Sequence, residues 1–116
     1  QQAWAEMSGG APVLPQAGLA VTDAFADANP GAVDTLQAAL EAAVASVNAN
    51  PAQAAADATA ALDMPPPVLA ASIVPSNLVA ARASTVRKEI ESMLTTLSDA
   101  DPTLIGGKLP DSGFYL

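Results

Sequence analysis

The sequence holds no histidine and no cysteine. That removes Ser-His-Asp and Cys-His catalysis, imidazole bases and zinc sites of the usual N/S type together. What remains that could do chemistry is a short set of hydroxyls and carboxylates and one glycine-lysine pair. Ser8 stands beside glycines in MSGGA, but that string lacks the G-x-S-x-G spacing of a nucleophile elbow. A serine closing a helix end by local hydrogen bonding is the simpler assignment. Gly106-Gly107-Lys108 looks like part of a phosphate loop, which needs a glycine five residues before its Gly-Lys and Ser or Thr after the lysine. Pro102 and Leu109 occupy those positions, so the match fails and a helix C-cap is expected instead. Asp99 and Asp101 alternate as in a calcium loop, yet Thr103 replaces the next ligand and no glutamate closes the loop. Asp101 reads better as an N-cap. Asp23 and Asp27 fall one helical turn apart and would share a proton only if buried; a solvated acidic face is the expectation. Neither an enzyme contained within these residues nor a cofactor or metal site is expected.

The element that organises the chain is a helix from Asn29 to about Asn48, NPGAVDTLQAALEAAVASVN. Asn29 suits the N-cap and Pro30 the first helical position. Val33, Leu36, Leu40, Val44 and Val47 follow at steps of three or four, one face of a 3.6-residue period. Full burial of five such side chains would contribute about 8–15 kcal/mol before chain entropy is subtracted. Asn50-Pro51 starts a second, alanine-rich helix to about Leu62, with Gln53 at capping-box spacing. Around these, Gln1 to Met7 reads as a helix closed by Ser8, Gly9 and Gly10, and Ala11 to Gln16 as extended. Val13-Leu14 is a short strand at most, and Gly18 to Val21 is the better strand candidate. Thr22 caps a short helix through Phe25 and Ala28. The three prolines of DMPPP, Asp63 to Pro67, call for an extended connection. Val68 to Ile73 forms one or two helical turns ended by Pro75, and Pro75 to Ala83 is irregular. Ser84 then caps a final helix with Val86, Ile90, Met93, Leu94 and Leu97 on one face. Asp101-Pro102 opens a last turn that stops at Gly106-Gly107, and Leu109, Phe114 and Tyr115 dock on the body.

At 116 residues, 51% hydrophobic and 14% charged, the chain is one folded domain at most rather than a disordered segment. Aromatics are 3%, so the core must come from Ala, Val and Leu. The net charge is −8, and Arg82, Arg87, Lys88 and Lys108 all lie beyond residue 81. Without a basic footprint, neither nucleic acid nor an anionic membrane surface is an expected partner. No apolar run reaches membrane-span length. No secretory signal is visible and the chain begins at Gln1 without an initiator Met, which reads as a processed product or a trimmed fragment.

Three pieces of the string carry a resemblance through their order and spacing. They are VLPQAGLAVTDAFADANPGAVDTLQAALEAAVASVNANPAQAAA (Val13 to Ala56), TVRKEIESMLTTL (Thr85 to Leu97) and DPTLIGGKLPDSGFY (Asp101 to Tyr115). Together they resemble the C-terminal part of substrate-binding proteins of ABC importers, of the nitrate/sulfonate/taurine and thiamine-precursor type. The resemblance implies a mainly α fragment with one or two short strands, part of a two-lobed α/β periplasmic-binding-protein-like fold. Residues 1–22 would hold the inter-lobe crossing and short strands, and residues 23–116 a helical scaffold. Val13, Leu14 and Pro15 would lie near the hinge, and Trp4 and Gln16 are the side chains nominated as ligand contacts.

On this reading the chain is the solute-binding component of an ABC importer. It captures a small molecule of nitrate, sulfonate or thiamine-precursor class and delivers it to permease subunits. A periplasmic or extracytoplasmic location follows, with a membrane anchor upstream of Gln1 as one form of it. The alternative is an acidic helical structural or interaction module without a small-molecule site. In either case the isolated fragment is expected to self-associate through Val13, Leu14, Leu19 and Val21.

Overall fold

The computed structural model describes residues 2–10 and 12–116. The expected beginnings of the first helix at Gln1 and of the extended stretch at Ala11 fall on the two residues outside that description. The chain forms two compact units, Gln1–Ala26 with Arg82–Leu116, and Asp27–Ala81.

The first unit holds α1 (Gln2–Ser8), most of α2 (Asp23–Ala28) and α6 (Arg87–Ala100), followed by single 3-10 turns at Pro102–Ile105 and Ser112–Phe114. Most of its local signals work as read. Gly9 takes φ 65° after α1, the left-handed conformation that stops a helix. The Phe25 N–H donates to Thr22 Oγ1 at 3.2 Å, which caps α2. Asp101 Oδ1 accepts from the Thr103 N–H at 2.9 Å and from Thr103 Oγ1 at 2.8 Å, and Gly106 at φ 75° ends that turn. These two bonds hold the Asp101 carboxyl below its ordinary range. Ser84 does not cap α6; the helix begins at Arg87 after a turn in which the Thr85 and Val86 N–H groups donate to the Arg82 carbonyl.

The second unit is a three-helix arrangement of α3 (Ala32–Ala49), α4 (Pro51–Leu62) and α5 (Pro66–Ser76), each packed on the other two. Asn50 serves both of the first two. Its N–H donates to the Ser46 carbonyl to end α3, and its Oδ1 accepts from the Gln53 N–H at 3.3 Å to start α4. The other half of the capping box is absent, because the Gln53 side chain donates forward to Asp57 Oδ1 at 2.8 Å. α3 starts at Ala32 rather than at Pro30. The Ala32 N–H donates to the Asn29 carbonyl at 2.9 Å, so Asn29-Pro30-Gly31 is a turn ahead of the helix.

α5 is longer than expected at both ends. Pro66 and Pro67 sit in its first turn, where no N–H is needed, and the Val68 and Leu69 N–H groups donate to the Pro65 carbonyl. Pro75 sits in the last turn, where it removes a single bond before Asn77 at φ 55° ends the helix.

The α/β expectation is overturned: among the described residues there are six α-helices and no strand. Gly18 to Val21 and Val13-Leu14 carry no regular secondary structure. A strand needs a second strand to satisfy its ladder, and none of the described residues forms one. Leu19 is 66% exposed.

The core is small. Ala55, Leu69 and Tyr115 are the described hydrophobic residues that are buried. On the expected apolar face of α3, Leu36 is exposed and Val33, Leu40, Val44 and Val47 are half-buried, so its contribution falls to on the order of half the full-burial figure.

Substitutions at two positions test this architecture in the full chain. Leu69→Ala should cost about 2–4 kcal/mol, because it removes the one large side chain buried in the second unit. Asn50→Ala should cost about 1 kcal/mol through the lost cap, and Asn50→Asp close to nothing. Urea denaturation followed by circular dichroism measures both; equal midpoints for wild type and Leu69→Ala would contradict the packing.

Candidate functional site

Each unit carries a concavity. In the first, α1 packs on α6 and leaves a cleft of about 230 Å³ lined by Trp4, Ser8, Val13, Lys88, Glu89 and Ser92. Trp4 is half-buried on α1, and the Ser8 hydroxyl accepts from the Gly10 N–H at 3.3 Å as the chain turns out of the helix. Lys88 and Glu89 come from the first turn of α6. The cleft presents one flat indole face, one hydroxyl pair and one charge of each sign.

Of the residues nominated from sequence, the structure brings Trp4 and Val13 together here. Gln16 is exposed and does not line the cleft. Leu14 and Pro15 are half-buried in a segment without regular structure. Lys88, Glu89 and Ser92 were missed because their contribution depends on α1 docking on α6, which no spacing rule announces.

The second concavity is a groove of about 240 Å³ along α4 and α5. Ala54, Ala58 and Leu62 line one wall at i, i+4, i+8, the single-face spacing of a helix. Leu69 and Ile73 line the other, Val47 of α3 adds to the wall, and Leu78 stands at the rim. The Asn48 side-chain amide donates to the Leu78 carbonyl at 3.0 Å and fixes that rim to α3. The alanine run was legible as a helix from Asn50-Pro51 to about Leu62. The facing wall was hidden because Pro66, Pro67 and Pro75 disguise the length of α5.

The tail of the first unit supplies its one buried aromatic. Tyr115 lies under the Arg87 guanidinium, whose carbon is 4.7 Å from the ring centre, and meets the Phe114 ring edge-on at 5.2 Å. Arg87 Nε also donates to Glu91 Oε1 at 2.8 Å, one turn along α6. The Ser84 N–H donates to the Leu116 carbonyl at 3.4 Å. Of the three tail residues expected to dock, only Tyr115 does; Leu109 and Phe114 are exposed. The buried Tyr115 hydroxyl has no hydrogen-bond partner of acceptable geometry. Burial pushes its phenol up from the ordinary 10.0; Glu91 adds to this through its charge and Arg87 opposes it.

Among the described residues no group of three or more His, Cys, Asp or Glu side chains could hold a metal ion, and no helix is long and apolar enough to cross a membrane. No protein-family model, curated protein or solved structure matches the chain.

The raised Tyr115 pKa has a definite sign in stability. Below pH 10 both folded and unfolded chains keep the phenol neutral. Above it the unfolded chain ionises first, so stability falls as pH rises through the folded value. Melting temperature should therefore drop between pH 9 and pH 11 more steeply in wild type than in Tyr115→Phe. At neutral pH the phenylalanine variant should be as stable or up to about 1 kcal/mol more stable, since it deletes an unpaired buried hydroxyl. Parallel pH curves for the two proteins would refute the assignment.

Proposed function

We propose that this chain works as an acidic helical interaction module, whose apolar faces are completed by another protein. The observation that carries this is the imbalance between core and surface. The accessible surface is 8032 Å². A folded protein of 11.5 kDa exposes about 5,800 Å², and two separate bodies of half that mass about 7,000 Å² in all. Counted either way, the chain leaves more surface uncovered than a self-sufficient fold does. Much of the excess is apolar. Met7, Leu19, Leu62, Val74, Val79 and Leu104 each expose more than half of their area. The acidic balance keeps such a surface soluble and disfavours nucleic acid and anionic lipid as partners.

A second reading, ligand capture as the solute-binding component of an ABC importer, draws on the resemblance of the string and on the presence of Trp4 in a cleft. Permease partners and an extracytoplasmic location belong to that reading. Its cleft of 230 Å³ falls below the usual range of about 300–1,000 Å³ for small-molecule pockets.

One pair of measurements separates the two. An environment-sensitive hydrophobic dye should bind the full chain and fluoresce at neutral pH. Millimolar nitrate, taurine or a thiamine-precursor pyrimidine should leave the melting temperature unchanged. A dye-silent protein would overturn the interaction-module reading, and a saturable rise in melting temperature of several degrees with one of the ligands would establish the importer reading in its place.

A further inference from the structure

The groove along α4 and α5 has a shape and a charge setting that together select an occupant. The geometry points to a cationic amphipathic helix of a partner protein, which lays its apolar face into this groove and its basic residues toward Asp57 and Asp63, the acids next in sequence to its wall. The proposal rests on the interaction-module reading and adds the site and the partner class to it.

Length and depth come first. From Ala54 to Leu62 the α4 wall runs eight residues, or about 12 Å at 1.5 Å per residue, which matches two turns of a docked helix. Ala54 and Ala58 keep that wall low, so a second helix can approach closely along it. The volume of about 240 Å³ takes one large anchoring side chain between Leu62, Leu69 and Ile73, the arrangement in which one buried anchor dominates binding. Apolar side chains at i, i+3 or i+4 and i+7 on the incoming helix would meet the groove along its length.

Charge selects among helices of that shape. The unit Asp27–Ala81 carries Asp27, Asp34, Glu41, Asp57 and Asp63 and no lysine or arginine. Two of these acids adjoin groove residues directly in sequence: Asp57 precedes Ala58, and Asp63 follows Leu62. Asp63 also stands at the C-terminal end of α4, where the last helix carbonyls add negative potential. A basic helix gains most from Asp57 and Asp63, the two that adjoin the groove in sequence. An acidic one is repelled, and so is a second copy of this unit, which brings five acids and no base.

The test uses the full chain and a fluorescein-labelled synthetic helix with leucines and one tryptophan along one face and lysines on the other. A version with glutamates in place of the lysines and a scrambled version of equal composition serve as comparisons, all read by fluorescence polarisation. The lysine helix should bind with micromolar affinity that weakens with salt, and the other two should bind at least about tenfold more weakly. Leu62→Gln with Leu78→Gln should lower affinity about tenfold. Both side chains are exposed, so helicity should be unchanged. Leu104→Gln, equally exposed but in the other unit, should bind as wild type does. Asp57→Asn with Asp63→Asn should weaken binding about fivefold and flatten its salt dependence. Asparagine tolerates the left-handed backbone at position 63, so this pair decides the question even if the leucine variant misfolds.

Equal binding of the lysine and glutamate helices overturns the proposal, as does wild-type affinity in a folded Leu62→Gln/Leu78→Gln variant. Sedimentation showing a wild-type dimer lost in that variant would assign the groove to a second copy and overturn it too. The dye measurement keeps the two levels apart: dye binding without peptide binding sinks this occupant and leaves the interaction module standing, whereas a protein that binds neither sinks both.

Discussion

Ala55 on α4 and Leu69 on α5 are the two side chains of the second unit that solvent barely reaches, and the unit is built on the packing of α4 against α5. A methyl group on one helix lets the other come close enough for a single leucine to be covered. The same economy limits what the unit can bury. A helix pair held by small side chains has a short interaxial distance but little apolar volume between its axes, so the larger residues at its edges remain outside. Leu62 and Leu78 are exposed for that reason, and the groove between them follows from the way the unit is held together.

The first unit solves the same problem with one aromatic. Tyr115 is the only ring in it that solvent is largely kept from, with the Arg87 guanidinium over its face and the Phe114 ring edge-on to it. Arg87 spans two tasks, lying over the ring and bonding Glu91, so its charge is matched from two sides. The arrangement leaves the phenol hydroxyl without a partner although a carboxylate is near enough to influence it. Ring burial outweighs one unmade hydrogen bond here, since an aromatic side chain contributes several times the net worth of such a bond.

What the sequence made legible was whatever one or two turns of chain decide by themselves. Asn50 with Gln53, Asp101 with Thr103, Thr22 with Phe25, and the glycines at 9 and 106 all do what their chemistry implies. Apart from Ser84, which does not cap α6, the errors came where the outcome is not local. Gly18 to Val21 has the composition of a strand, but a strand is a relation between two segments and the second one is not there. Prolines misled in both directions. Pro30 sits at a position that suits a helix start yet lies in the turn before one, while Pro66 and Pro67 begin a helix that three prolines in a row argue against. In the first unit Trp4 and Val13 were nominated for different reasons and share a cleft, whereas Gln16 points to no site. The opposite wall, from Lys88 to Ser92, comes from a helix more than eighty residues along the chain from Trp4, and short-range patterns carry no information about it.

The separation of charge along the chain also decides which reagents can reach which unit. Lys88 and Lys108 are the only lysines, and the first basic residue of any kind is Arg82. The unit Asp27–Ala81 therefore offers no side-chain amine to acetylation, to ubiquitin attachment or to amine-reactive labels. Trypsin finds no cleavage site in it either, folded or unfolded. The protease makes no cut between Gln1 and Ala81, whereas Arg82, Arg87, Lys88 and Lys108 divide the stretch that follows. Within these residues, tagging through lysine falls on Lys88 and Lys108, outside the helices that carry the groove.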